Sequence, residues 1–266
     1  HVAHLAEWRQ RPVGIVPDLA SVDVELARER ATRSLAAHPD GLWLPTDELA
    51  DLLDAVGVAI VRPMHAASAA EAQALAQEVG GPIALKVMSD TIQHKTDVGG
   101  VVLHVEPDDA AQEYAAMAAR IGPAMHGALV QPMVAAGIEV IIGAVDDESF
   151  GPVVMFGLGG TTTELFADRA FSIVPTTDVE ASALVRAPRS SALLFGRRGS
   201  EPVDVGALED LVLRISRLAD AVPELAELDL NPVIARPDGV FVVDARARLA
   251  SADEPRIQPI RRLGRR

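Results

Sequence analysis

The chain has 266 residues, 49% of them apolar and only 3% aromatic, with a mean hydropathy of +0.20. That is ample core for one large domain or two small ones, built mainly from Ala, Val, Leu and Ile. A formal charge of −14 argues against general binding to nucleic acid or to an anionic membrane, either of which needs a basic footprint. The absence of cysteine excludes disulfides and thiolate metal sites and suits a cytoplasmic location, and no signal peptide or apolar run near 18 residues predicts a membrane span.

Taken in order, residues 1–40 read as a connector. A short helical piece, HVAHLAEWRQ, leads into RPVGIVP, where Pro12 and Pro17 hold the chain extended. Trp8 serves as a local staple or packs the connector onto a neighbouring domain. Asp23–Ala37 follows as an amphipathic helix that ends at HPDG. From Leu44 helix and strand alternate. Thr46 is expected to cap a helix with Leu49, Leu52 and Leu53 buried, and VAIVRP is expected to be a strand. Ser68 caps AAEAQALAQEV, which Gly80 and Gly81 close. The apolar runs IALKV and VVLHV are strands, a helix starts at Asp108 or Asp109 and runs to Arg120, and ALVQPMV is a strand. Residues 62–126 thus read as a small βαββα unit, with 41–61 and 127–250 forming the main one. In the second half, IEVIIGAVDD and PVVMFGLGG are strands, 178–195 and 204–219 are helical, and RPDG joins two final strands. Residues 251–266 form a basic tail. Because the sequence starts at His1 rather than Met, a fragment of a longer protein is expected.

The polar loop between IALKV and VVLHV draws the first functional reading. The stretch from Ile83 to Leu103 around it contains the only two lysines, Lys86 in IALKV and Lys95 in the loop; the other 22 of the 24 basic residues are arginines. A composition so biased towards arginine keeps a lysine where a compact ammonium fits and a planar fork does not. Ser89, His94, Asp97 and Gly99–Gly100 surround them, a donor set suited to phosphate. The plainer reading is a surface hairpin. His94 sits between Gln93 and Lys95, away from any apolar face, and a neutral imidazole can attack phosphorus or act as a general base.

The last hairpin gives the sharpest geometry. If its turn centres between Pro237 and Asp238, paired positions have numbers that sum to 475, and Asn231 lies opposite Asp244. Their Cβ atoms would then be roughly 5 Å apart. An amide oxygen beside a carboxylate makes a hard, oxygen-only site for Mg²⁺ shared with substrate phosphates. Glu227, on the same alternating face, is a candidate third ligand or support. The plainer reading pairs Asn231 with its own turn and Asp244 with Arg246 or Arg248. GLGGTTTEL fails both the dinucleotide and the Walker A patterns, yet Gly159 and Gly160 after a buried strand let backbone N–H groups approach an anion. The VQPMV strand, with Gln131 and Met133, offers backbone groups to a purine at its edge, and Glu139 offers an acceptor to a ribose hydroxyl. Spacing alone does not separate that role from an ordinary exposed glutamate.

Four stretches in order, ALKVMSDTIQHKTDVGGVVL, VQPMVAAGIEVIIGAVDDESFGPVVMFGLGGTTTEL, PRSSALLFGRRG and ELDLNPVIARPDGVFVVDARARL, resemble the nucleotide-binding ATP-grasp module of the ADP-forming acyl-CoA synthetases. The resemblance covers about residues 41–250. It implies an α/β ATP-grasp fold, two α/β subdomains with the nucleotide cleft between them, preceded by a helical connector. It implies ATP or ADP with Mg²⁺ as cofactors and the reaction acyl-CoA + ADP + phosphate ⇌ carboxylic acid + CoA + ATP. Lys86 matches the lysine that reaches the phosphates, Glu139 a ribose- or phosphate-side residue, Asn231 and Asp244 the Mg²⁺ ligands, and His94 a histidine that relays phosphate. Asp90 departs from the family, which usually has proline there. The implied partners are CoA-binding and ligase domains of the same protein or of a partner subunit. HLAEWRQRPVGIVP and RIQPIRRLGRR are similar to the flanks of fusions that also carry a GNAT acetyltransferase domain. A catalytically silent, ligand-sensing module of a protein lysine acetyltransferase is therefore the alternative function.

Overall fold

The computed structural model describes residues 12–89, 91–92, 95–160, 168–196 and 201–251. Within them the chain forms two compact units, one spanning Val61–Ala135 and one built from the sequence on either side of it. No helix among the described residues is long and apolar enough to cross a membrane.

The larger unit begins with extended chain and then α1 (Val24–Ala37), which Asp23 caps by accepting the Leu26 N–H at 2.9 Å. After the short strand β1 (Leu42–Trp43) comes α2 (Thr46–Asp54), with Leu49, Leu52 and Leu53 buried as expected. Thr46 does not cap it: Pro45 occupies the cap position, and Thr46 is the first helical residue. The chain then passes into the smaller unit. VAIVRP is not a strand there or in the larger unit. Ile60 makes one isolated bridge to Val242, and the strand proper is β2 (Met64–Ala66), beyond Pro63, which has no N–H to give a ladder.

The smaller unit continues with α3 (Ala69–Val79), closed by Ser68 at its start and by left-handed Gly80 at its end. Then follow β3 (Ile83–Met88), β4 (Val101–Val105), α4 (Ala110–Ile121) and β5 (Gly127–Pro132). The four strands form one antiparallel sheet in the order β2-β5-β3-β4. Because β5 lies inside that sheet, this unit extends past residue 126, where the helical and strand signals alone had ended it. Its core joins Ile83, Leu85, Val87, Ala128 and Val130 to Ala72, Ala76, Tyr114 and Met117 of the two helices.

The rest of the larger unit is β6 (Ile138–Asp147), β7 (Gly151–Leu158), β8 (Arg169–Ile173), α5 (Asp178–Arg186), α6 (Val205–Ala221), β9 (Leu225–Arg236), β10 (Gly239–Val242) and β11 (Ala245–Leu249). With β1 these strands make a seven-stranded antiparallel sheet in the order β1-β11-β9-β6-β7-β8, with β10 paired to β9. A single helix does not run from 178 to 195. Pro188 ends it, and a 3₁₀ turn over Arg189–Leu193 follows. One face of the sheet is apolar: Val140, Ile142, Phe156, Leu228, Leu230 and Val233 pack against Leu208, Val212, Ile215 and Leu218 of α6 and the buried stripes of α1, α2 and α5. By strand alternation, the polar residues of β9 project from the other face.

Candidate functional site

In the smaller unit, Leu85 and Val87 point into the core, so Lys86 between them projects from the opposite sheet face, with Val101 and Leu129 as its cross-strand neighbours. Its strand continues into the polar loop. That loop returns through a tight turn in which the Gly100 N–H donates to the Lys95 carbonyl at 2.7 Å and the Val87 N–H to the Gly100 carbonyl at 2.7 Å. Gly100 has to be glycine, since a Cβ there would lie 2.5 Å from the Val87 side chain and 2.9 Å from the Lys95 oxygen. The backbone of Lys95 is therefore tied to the end of β3 that carries Lys86. His94 lies outside the described residues, as do Gln93 and Asp90.

The Gln131 side chain is buried and donates to the Val61 carbonyl, and the Met133 N–H donates to the Pro82 carbonyl at 3.0 Å. Both donors are used within the smaller unit.

In the larger unit, Glu139 and the glycine pair come together. The Gly159 N–H donates to the Glu139 carbonyl at 2.7 Å, and a Cβ on residue 159 would sit 3.1 Å from the Glu139 Cβ. Gly160 takes φ +93°, a conformation that favours glycine. Thr161–Thr163 and Glu164 lie outside the described residues.

The C-terminal hairpin adopts the expected register. Arg236 pairs with Gly239, Ala235 with Val240 and Val233 with Val242, and the same sum of 475 carries on through Leu230–Ala245 to Glu227–Arg248. Between the two ladders the Asn231 N–H donates to the Asp244 carbonyl at 3.0 Å, and the Val243 N–H to the Pro232 carbonyl at 3.0 Å. Leu228 and Leu230 are buried on the helix side, so Asn231, Asp229 and Glu227 line the other face, opposite Asp244, Arg246 and Arg248.

Asp229 lies between Glu227 and Asn231 on this face, as the cross-strand partner of Arg246. Burial pushes the Asp229 carboxyl above the usual carboxylate range; a hydrogen bond from the Asn231 side chain pulls it down, nearby Glu227 raises it, and the charges of Arg169 and Arg246 lower it. An Asn231 amide that donates its NH₂ to Asp229 would keep its oxygen for another partner. Arg246 lies over the ring of Trp43, 4.8 Å from the centroid, an exposed cation–π contact worth about 0.5–1 kcal/mol. Trp43 was missed because its strand is two residues long and its partner, β11, is at the far end of the sequence. Asp168 was missed as well. It accepts the N–H groups of Arg189 and Ser190 at 2.9 and 2.8 Å and the Ser190 hydroxyl at 2.6 Å, which holds its carboxyl below the usual range. The PRSS stretch at 188–191 is anchored to the start of β8 in this way.

The donors fit a divalent cation only in part. No group of three or more His, Cys, Asp or Glu able to hold a metal occurs among the described residues. Glu227 is four residues down the strand from Asn231, roughly 13 Å at an ordinary strand rise, and faces Arg248. It does not join the pair, contrary to the expectation of a third ligand. What remains is an amide and a carboxylate, a hard oxygen set that suits Mg²⁺ shared with phosphate oxygens.

Residues 36–249 match the family described as the ATP-grasp domain. The chain belongs to the ATP-grasp family. It is similar to the β subunit of acetate–CoA ligase [ADP-forming] I of Pyrococcus furiosus, at 34% identity over 75% of this chain and 88% of that one. It is also similar to acetate–CoA ligase [ADP-forming] I of Archaeoglobus fulgidus, at 37% identity over 85% of this chain, but it spans only 34% of that protein's length. Among solved structures, the dinucleotide-forming acetyl-coenzyme A synthetase 1 of Ca. Korarchaeum cryptofilum, in complex with coenzyme A and Mg-AMPPCP, matches with a TM-score of 0.72 and 35% identity. That match covers 84% of this chain and 99% of the other, and its phosphohistidine segment is described as pointing towards the nucleotide binding site. This ATP-grasp chain therefore has the fold that the four sequence stretches implied.

Proposed function

We propose that this ATP-grasp chain binds ATP or ADP with Mg²⁺ and carries the phosphoryl-transfer half of an ADP-forming acyl-CoA synthetase. The hairpin register supports this most directly, because it brings Asn231 and Asp244 face to face on one polar sheet surface. Lys86 supplies a compact cation for phosphate oxygens, and its surplus charge matters most while negative charge moves between donor and acceptor. Gly159 and Gly160 let backbone approach the nucleotide beside Glu139, which accepts from a ribose hydroxyl. Asn231 and Asp244 hold the cation, and Asp229 keeps the Asn231 amide turned. A Mg²⁺ held by Asn231 and Asp244 would supply positive charge to offset that of the nucleotide phosphates. His94 is the proposed phosphate acceptor on this chain, with Lys95 beside it. CoA-binding and ligase domains, in the same protein or in a partner subunit, complete acyl-CoA + ADP + phosphate ⇌ carboxylic acid + CoA + ATP. The relatives named above are ligases, which favours this function over the regulatory module of an acetyltransferase.

Calorimetry with Mg·ATP tests the assignment. Lys86→Ala and Asp244→Ala are each expected to weaken binding by well over roughly tenfold, the worth of a charge-assisted contact. Unchanged affinity in both would remove it. For the transfer step, the full-length protein incubated with ATP is expected to gain acid-labile phosphate that His94→Ala lacks.

A further inference from the structure

Trp43 and Arg246 share a sheet face with Asn231 and Asp244, and nucleotide binding as described above assigns them nothing. We propose that Arg246 contacts the terminal phosphoryl group of the nucleotide bound at the Asn231–Asp244 pair, with Trp43 as the residue that positions it. The proposal rests on the nucleotide reading and extends it.

Three observations carry it. First, Arg246 is one same-face step along the strand from Asp244, about 7 Å, which a side chain of its length spans. Any phosphate oxygen sharing a cation with Asp244 therefore falls within its reach. Second, the obvious structural use for Arg246 would be to bond with Asp229, its direct cross-strand partner. Arg246 makes no ion pair with Asp229 among the described residues. Its guanidinium is drawn sideways over the Trp43 ring. Third, a guanidinium lying over an aromatic ring uses its flat surface and leaves its edge, with the N–H fork, for a planar pair of acceptors such as two phosphate oxygens. Trp43 is itself 47% exposed, so its ring is presented at the surface and not consumed by the core. In a chain of net charge −14, a polyanion needs a fixed local cation, and this one is preoriented.

The test is calorimetry on the full chain with Mg·ATP and with AMP, using Arg246→Ala, Arg246→Lys, Trp43→Ala and Trp43→Phe. Both positions are surface sites, and thermal melts check that the four variants remain folded. Arg246→Ala is expected to weaken Mg·ATP by roughly ten- to a hundredfold while leaving AMP unchanged, as loss of a charge-assisted phosphate contact requires. Arg246→Lys should recover only part of this, because the fork is gone. Trp43→Phe should stay near wild type, whereas Trp43→Ala should lose about threefold on Mg·ATP alone. Equal losses for Mg·ATP and AMP, or no loss with Arg246→Ala, would overturn the phosphate contact while leaving the nucleotide reading intact. A wild-type chain that does not bind Mg·ATP would overturn that reading and this proposal together.

Discussion

The N–H of Gly159, just past the end of β7, donates to the carbonyl of Glu139 near the start of β6, and the two residues approach so closely that an added methyl would stand 3.1 Å from the Glu139 Cβ. Gly159→Ala should therefore displace Glu139 without unfolding the sheet. The expected outcome is a several-fold loss of nucleotide affinity in calorimetry, with a stability cost of about 1 kcal/mol or slightly more by denaturant titration. Wild-type affinity in a folded variant would show that Glu139 tolerates the shift.

Asp168 yields a pH signature. Its carboxyl is held below the usual range, mainly by the Ser190 hydroxyl and then by the Ser190 and Arg189 N–H groups. The folded state thus binds its proton less readily than the unfolded state, so the stabilisation is present above about pH 4 and fades as pH falls through the lowered folded value. Asp168→Asn should lower the melting temperature at neutral pH, and the gap to wild type should close progressively below about pH 4. A gap that stays constant down to pH 2 would contradict this account.

Gly14 carries a second steric prediction. A Cβ there would meet Thr177 Oγ1 at 2.5 Å and Asp178 Oδ1 at 2.7 Å. Neither atom can retreat cheaply, because Thr177 caps α5 in a reciprocal pair with Glu180, and Asp178 Oδ1 accepts the Ile15 N–H at 2.8 Å. Gly14→Ala should lift the extended segment off α5. Hydrogen exchange of the Ile15 amide should then speed up by about tenfold or more, while amides of β6 and β9 stay unchanged.

Lys86→Arg separates charge from shape. Lys86 is half-buried between Val101 and Leu129 on neighbouring strands. A planar, five-donor head is a poor substitute for a compact ammonium at such a place. Mg·ATP affinity should fall by more than about tenfold, close to the alanine variant. Affinity equal to wild type would mean that any cation serves.

The contrast between residues that could be read in advance and those that could not has a physical basis. Asn231 and Asp244 were legible because a two-residue turn at Pro237–Asp238 fixes every pairing in its hairpin, so counting outward from it is enough. Ser68 and Gly80 were legible because a helix end is decided by a few local bonds. Trp43, Asp168 and the place of β5 were not, since each is defined by a partner remote in sequence. Trp43 meets β11, Asp168 meets Ser190, and β5 lies between β2 and β3. VAIVRP failed for a different reason: an apolar run matched the strand pattern, but its proline removes a ladder donor. For Glu227 as a third ligand, sharing a face is not sharing a place, since two pleats of strand separate it from Asn231.

The strand Leu225–Arg236 alternates Leu228 and Leu230 with Asp229 and Asn231, so one backbone serves as core wall and as ligand holder. A slip of one residue during folding would bury two polar groups and expose two leucines, an error far too costly to persist. Molecules that acquire this architecture at all therefore acquire it with the Asn231–Asp244 pair already aligned, so misassembled copies should be lost to aggregation and should not accumulate as folded but inactive protein.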